Sequence, residues 1–235
     1  MLLTKVFQKP EKQRIYLEQI LVEMEKLGIN SIGIVTIISF FMGAVITLQA
    51  AYNLENPLIP KYIIGLGTRD SMILEFSSTI VGLIMAGKVG SNIASEIGTM
   101  RVSEQIDALE IMGVNSAAYL IFPKIVAGVL INPLLTVISI VIGISGGYIA
   151  VGFTGVITTT DFITGLHYWY VPFYVSYSLI KSALFAFIFT SIPAYHGYYA
   201  YGGSLEVGKA STTAVVYSSI LILFFNLVLT QLLLA

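Results

Sequence analysis

The sequence predicts an all-α integral membrane protein with about five transmembrane helices. Of its 235 residues, 56% are hydrophobic and only 11% are charged, whereas about a quarter of the residues of an ordinary soluble domain are charged. The charged residues are also segregated, because they cluster in 5–26, 55–70, 96–110 and 206–209, between apolar runs long enough to cross a bilayer. So few polar groups cannot coat a water-soluble globule.

Hydropathy and charge together predict the spans and their orientation. The apolar runs fall at about 31–52, 71–95, 118–151, 172–194 and 212–234, and the segments 53–70 and 153–170 would connect them on the outer side. With the N-terminus inside, the outer segments hold only Lys61 and Arg69. The inner side then holds Lys5, Lys9, Lys12, Arg14, Lys26, Lys88, Arg101, Lys124 and Lys209. This positive-inside bias predicts a cytoplasmic N-terminus.

Residues 1–30 predict an amphipathic helix ahead of the first span. One face would carry Ile20, Leu21, Met24 and Leu27, and the other would carry Glu18, Glu23, Glu25 and Lys26. Such a helix typically lies on a membrane surface. The alternative is a small helical cap whose apolar face meets protein instead of lipid.

Composition and motifs exclude several function classes. The net charge of −1 indicates no broad basic surface for nucleic acid. Cysteine is absent, which excludes disulfides and thiolate metal sites. No G-x-x-x-x-G-K-[ST] run occurs, so any ATP hydrolysis must come from another chain.

The segment 86–124 is the most informative part of the chain. Within 102–112, Val102, Ile106 and Leu109 share one helical face. The acidic and amide side chains of the same stretch remain polar, which predicts a short helix that docks a partner surface instead of binding a substrate.

Here the chain resembles a known family. The run E-I-G-T-M-R-V-S-E-Q-I-D-A-L at 96–109 is similar to the signature of the MlaE family, the permeases of MCE-associated ABC transporters. Further similar stretches occur in the family's order at 43–49, 86–91, 181–185 and 202–216. The chain departs from the family at 74–78, where L-E-F-S-S replaces a pattern like R-E-L-G-P, and at Asn226, where the family commonly has an acid.

The resemblance implies an assembly. It implies a permease homodimer in a bacterial inner membrane, bound to two cytoplasmic ABC ATPase subunits that carry ATP and Mg, and to a periplasmic MCE-domain protein that forms a conduit for phospholipid. The coupling helix would lie near 99–112. The residues assigned to the contact with the ATPase are Glu96, Thr99, Arg101, Glu104, Gln105 and Asp107.

Two charges inside apolar spans suggest a lipid pocket. Glu75 and Lys181 each cost at least about 2.5 kcal/mol in lipid, so both should face a partner, a cavity or water. Our hypothesis is that they flank an outward-open pocket with Gln49, where Lys181 attracts a phosphate and Glu75 orients it. The alternative is a structural ion pair between Glu75 and Lys181.

Two other functions are compatible with single features of the sequence. The run G-I-S-G-G at 143–147 matches the nucleophile pattern G-x-S-x-G, so a rhomboid-like intramembrane serine protease would pair Ser145 with His196. Short glycine and serine motifs are common in membrane helices, however, and packing explains them equally. A non-enzymatic scaffold that anchors a cytoplasmic protein through 96–112 is the third possibility.

Overall fold

The computed structural model describes residues 2–6, 13–54 and 59–234. Residues 7–12, which include Lys9 and Lys12 of the predicted N-terminal helix, lie outside this part. Within the described residues, each regular element is a helix. The α-helices are α1 Leu2–Val6, α2 Gln13–Met24, α3 Asn30–Asn53, α4 Tyr62–Ser71, α5 Ser77–Met85, α6 Ser91–Val102, α7 Gln105–Ile111, α8 Ser116–Thr154, α9 Thr159–His167, α10 Phe173–Tyr198 and α11 Ser204–Leu234.

The five predicted spans are confirmed. Five continuous helices are long and apolar enough to cross a membrane, and they run over Tyr16–Asn53, Tyr62–Val102, Ser116–Thr154, Phe173–Tyr198 and Ser204–Leu234. Most of them extend past the hydropathy boundaries, because the helical backbone continues into polar residues that hydropathy assigns to the connections.

Three widened helical turns join α-helices within the first two spans. These π-helical turns cover Glu25–Ile29 between α2 and α3, Met72–Phe76 between α4 and α5, and Ala86–Gly90 between α5 and α6. Such turns are rare and are frequently found at functional sites. One of them contains Glu75, the membrane carboxylate singled out from the sequence.

The described chain forms two compact units. The first comprises residues 1–31, 82–132 and 182–235. In it α6 packs along α11, where Ser211 Oγ donates to the Ser91 carbonyl at 3.0 Å. Small residues permit this close approach, because a Cβ added at Gly98 would lie 3.0 Å from the side chain of Val207.

The second unit comprises residues 32–81 and 133–181. Its first and third spans touch backbone to backbone, since a Cβ added at Gly43 would lie 1.8 Å from the Gly143 carbonyl oxygen. Likewise α4 crosses α9 at Gly65 and Gly165, where added Cβ atoms would lie 2.3 and 2.0 Å from backbone oxygens. A hydrophobic core closes around Phe162, with Ala51, Ile64, Val151 and Ile157.

Two expectations about local structure are wrong. Glu23 does not lie on a solvent-facing side of the N-terminal helix, because its side chain is buried against α8. Val102 does not belong to the coupling helix, because it ends α6 and the chain turns before α7 begins.

Candidate coupling and lipid-binding sites

A tight turn joins α6 to α7. The Ser103 amide donates to the Thr99 carbonyl at 3.0 Å, and the Glu104 amide donates to the Arg101 carbonyl at 3.2 Å. Glu104 has φ 61° and ψ 11°, the left-handed conformation that side chains other than glycine rarely adopt. This backbone reversal directs α7 away from the axis of α6.

The short helix α7 is fixed to its surroundings on two sides. Its Ile106 is fully buried, and Asp107 accepts a charged hydrogen bond from Arg101 of α6 at 2.5 Å. Near its other end, Glu110 Oε1 accepts from Ser116 Oγ at 2.9 Å and from Tyr198 Oη at 2.9 Å. A seven-residue helix is marginal alone, so these contacts hold its orientation.

The same network perturbs Glu110. The hydrogen bond from Tyr198 is the largest of the interactions that lower the pKa of this carboxyl below its usual value, followed by the bond from Ser116. Both bonds stabilise the ionised form. Glu110 therefore ties α7 to the start of α8 and the end of α10 as a carboxylate.

The outward side of the turn and of α7 is a mixed polar and apolar surface. Glu104 and Gln105 are exposed, as is Ala108 one turn later. Two large apolar side chains follow, Ile111 at 87% and Met112 at 68% exposure. Rigid attachment combined with apolar exposure is typical of a surface that meets another protein.

The six residues predicted to contact an ATPase do not form one cluster. Thr99, Arg101, Glu104, Gln105 and Asp107 lie on or beside the turn, with Arg101 and Asp107 paired to each other. Glu96 instead turns back toward α8, where its carboxylate accepts a hydrogen bond from Lys124 Nζ at 2.8 Å.

The two charges inside the spans meet. Lys181 Nζ lies 3.1 Å from Glu75 Oε1, 3.0 Å from the Leu74 carbonyl oxygen and 3.0 Å from Tyr177 Oη. The Lys181 side chain is fully buried, whereas that of Glu75 is 39% exposed. Gln49 is exposed on α3, and within the described residues it makes no hydrogen bond to either charge.

Three oxygen partners compensate the Lys181 charge, as a buried cation requires. The arrangement fits the structural ion pair weighed from the sequence. A phosphate could reach the ammonium only if this pair opened, while the partly exposed Glu75 carboxylate is accessible without rearrangement.

Sequence reasoning missed the role of Arg69, which it treated only as an outer charge. The guanidinium is buried at 4% exposure and donates to the carbonyls of Leu166 and Tyr168 at 2.8 Å and of Trp169 at 3.3 Å. These acceptors are backbone atoms about a hundred residues away along the chain. No pattern of side-chain types could have indicated them.

The two residues of the protease hypothesis are engaged separately. Ser145 Oγ donates to the Val141 carbonyl of its own helix at 2.8 Å, and this serine belongs to the second unit. His196 belongs to the first unit, where its ring stacks on Tyr217 with centroids 5.6 Å apart. Each contact is an ordinary packing interaction within a unit, so neither residue shows a catalytic arrangement.

These features define a multi-span α-helical membrane protein with an exposed, braced turn between α6 and α7. A family comparison makes the class specific: residues 20–232 match the model of the family described as permease MlaE, and the chain belongs to this family.

Named relatives agree with this assignment. A probable ABC transporter permease protein of Rickettsia bellii is 37% identical over 93% of this chain and 84% of its own length. The intermembrane phospholipid transport system permease protein MlaE of Haemophilus influenzae is 30% identical over 88% and 80%. The chloroplastic protein trigalactosyldiacylglycerol 1 of Arabidopsis thaliana is 30% identical over 94% of this chain and 63% of its own length.

Proposed function

We propose that this chain is the permease subunit of an ABC transporter that moves phospholipid or a related lipid between the bacterial inner membrane and a periplasmic MCE-protein conduit. A partner ATPase drives the movement. The observation that carries the proposal is the exposed, rigidly braced turn at Glu104 in a member of the MlaE permease family. The phospholipid named for the Haemophilus influenzae relative supports the choice of cargo.

The turn is the docking point for the ATPase, which binds ATP and Mg. Glu104 and Gln105 present polar groups to the partner, while Ile111 and Met112 add apolar contact area. Because the Arg101–Asp107 pair joins α7 to α6, a push on the turn moves α6, which is the cytoplasmic end of the second span. Closure of the ATPase on ATP is thereby converted into helix movement.

The lipid pocket is formed by Gln49, Glu75 and Lys181. In the described conformation the Lys181–Glu75 pair is closed, and its location in a π-helical turn provides a place where the second span can rearrange. Opening of the pair would expose an ammonium group for a lipid phosphate, with the carboxylate beside it. Substitution of Lys181 by Met should therefore reduce lipid transfer while the transporter still assembles.

Further parts of the assembly follow from the same proposal. The chain forms a homodimer, and its N-terminus lies in the cytoplasm in accordance with the charge bias of the connections. The fifth span leaves room for such a contact, because only 17% of its most apolar stretch is buried within the chain. A second copy or lipid must cover the remainder.

The test is ATP-driven transfer of labelled phospholipid in proteoliposomes that contain this chain and its copurifying partners. Glu104→Lys reverses the charge at the centre of the docking turn, and one unfavourable contact of about 1.4 kcal/mol or more lowers coupling about tenfold. Glu206→Lys is the control, since it makes the same reversal on an exposed residue at the start of α11, where it breaks only a surface pair with Lys209.

Three outcomes are informative. Transfer that falls in Glu104→Lys but not in Glu206→Lys, with normal membrane insertion, supports the proposal. An equal effect of both variants refutes a specific role for the turn. If a cytoplasmic protein copurifies but wild type transfers no lipid, the scaffold explanation replaces the transporter.

A further inference from the structure

Lys124 of α8 lies at a junction of three helices within the first unit. Its side chain is 5% exposed, and its Nζ lies 2.9 Å from Glu23 Oε1 of α2 and 2.8 Å from Glu96 Oε2 of α6. Lys26 Nζ also lies 3.6 Å from Glu23 Oε1, so two ammonium groups and two carboxylates meet here. Each carboxylate can accept several hydrogen bonds, so these pairs leave acceptor positions for a further donor.

Two cavities border this junction. They have volumes of about 470 and 490 Å³, within the range of ordinary small-molecule sites. Both are lined by Glu23, Lys26, Glu96 and Lys124. The charged junction is therefore accessible to a ligand.

The first cavity contains an unsatisfied acceptor. Gln19 lines it, and the buried Oε1 of this side chain has no hydrogen-bond partner among the described residues. A buried amide oxygen without a partner costs on the order of 1–3 kcal/mol. A ligand that donates a hydrogen bond here would remove that cost.

The charge of the cavity selects the kind of donor. Three carboxylates, those of Glu18, Glu23 and Glu96, face two ammonium groups, those of Lys26 and Lys124. Carboxylate oxygens beside the Gln19 amide oxygen favour a ligand with a charged N–H donor, since such hydrogen bonds are the stronger ones. The Lys26 side chain is 53% exposed and pairs with Glu23 at 3.6 Å, so its ammonium group also remains open to an accompanying anion from the surface.

The outer surface of α2 beside the cavity is apolar. Leu17, Leu21 and Val22 are 61%, 66% and 51% exposed, and Val22 also lines the cavity. These residues belong to the helix that continues as the first span. Aliphatic side chains at the mouth suit the acyl chains of a membrane lipid.

From this arrangement we infer that the cavity beside Lys124 binds the headgroup of an aminophospholipid through its primary ammonium. The ammonium donates to Gln19 Oε1 and to the neighbouring carboxylates, the phosphate lies toward Lys26, and the acyl chains run along α2. The bound lipid fastens α2 to α6, the helix that leads to the turn at Glu104. This site is separate from the cargo pocket proposed above, and its test does not depend on transport.

The test compares two lipids that differ in the ammonium alone. The full-length protein with its copurifying partners is titrated in detergent with dioleoyl phosphatidylethanolamine or dioleoyl phosphatidylcholine, and retained lipid is counted by native mass spectrometry. A trimethylated ammonium has no N–H to donate. One charge-assisted hydrogen bond gives about a tenfold preference for the ethanolamine lipid.

Variants of Gln19 assign the preference to this cavity, because a cargo pocket would hold either lipid. Gln19→Leu should abolish the tenfold preference, whereas Gln231→Leu, the same change at an exposed position of α11, should retain it. Gln19→Glu adds a negative charge and should increase the preference. If the Gln19→Leu variant does not fold, the preference measured for Gln19→Glu still tests the assignment to this cavity.

Equal binding of the two lipids by the wild type would overturn the inference, as would a preference that persists in Gln19→Leu or is unchanged in Gln19→Glu. Soluble phosphoethanolamine serves as the last probe. If it displaces the lipid completely at equal concentration, the cavity recognises a free amine instead of a membrane lipid, and the lipid assignment fails.

Discussion

Replacement of Arg69 by Met should release the segment that follows α9. In the structure this guanidinium donates to the backbone carbonyls of Leu166, Tyr168 and Trp169. It also pairs with the neighbouring Asp70 at 2.8 Å. Trp169 has φ 47°, a strained conformation that persists only where its surroundings impose it.

The size of the effect follows from the lost bonds. Each hydrogen bond from a charged donor contributes about 1.5–3 kcal/mol, and three carbonyls lose their donor. Water would recover part of this at a surface segment. We therefore expect the segment to be destabilised locally by about 3 kcal/mol, enough to release the strained backbone at Trp169.

Fluorescence measures this directly, because Trp169 is the single tryptophan of the chain. Its side chain is 78% exposed, so the informative quantity is the steady-state anisotropy of its emission. Anisotropy should fall in Arg69→Met, and cleavage by a protease in this segment should accelerate. Arg69→Lys retains the charge but not the planar fork of donors, so its anisotropy should be intermediate.

Lys61→Met is the control, since it removes an exposed cation one residue before α4. It should leave both measurements at the wild-type values. Anisotropy and cleavage in Arg69→Met that match the control would refute the reasoning, because the guanidinium would then not be what holds the segment.

Three further results are expected. Tyr198→Phe removes the largest interaction that lowers the pKa of Glu110. A carboxyl whose pKa is lower in the folded than in the unfolded state stabilises the fold above the unfolded pKa, and this stabilisation is lost as the pH falls. The variant should therefore be less thermally stable than the wild type at pH 7, and the difference should shrink below about pH 4. A deficit independent of pH would contradict this role. Gly43→Ala should lower the free energy of unfolding by about 2 kcal/mol or more, because the added Cβ would overlap a backbone carbonyl of α8. Gly33→Ala is the control, because a Cβ added there meets no atom within 4 Å. Equal melting temperatures of the two variants would contradict the close approach. Ser145→Ala should leave lipid transfer unchanged, and a loss of peptide cleavage in this variant would instead favour the protease.

The candidate site was predictable only in part. The amphipathic pattern at 102–112 predicted a docking helix, and Glu104 and Gln105 of this stretch are exposed. Helical periodicity could not indicate that the chain reverses at Glu104, because a left-handed residue other than glycine leaves no signal in the pattern. It therefore placed Val102 in the wrong helix.

The sequence also could not predict every pair of charged residues. Glu75 and Lys181 stood out because charges within apolar runs are rare, and the structure pairs them at 3.1 Å. Glu23 was assigned to the polar face of an amphipathic helix, yet it is buried. Its partner Lys124 is 101 residues further along the chain, and only the packing of α2 on α8 brings them together.

By itself the sequence determined the membrane class, the five spans and the family resemblance. Each depends on local quantities: the hydropathy of a stretch of about twenty residues, or the order of residues within a motif. The tertiary structure alone decided which face of each helix is buried, which carbonyls Arg69 binds and which cavity encloses Gln19. These depend on contacts between distant segments, and a side chain's neighbours are fixed only when the helices pack.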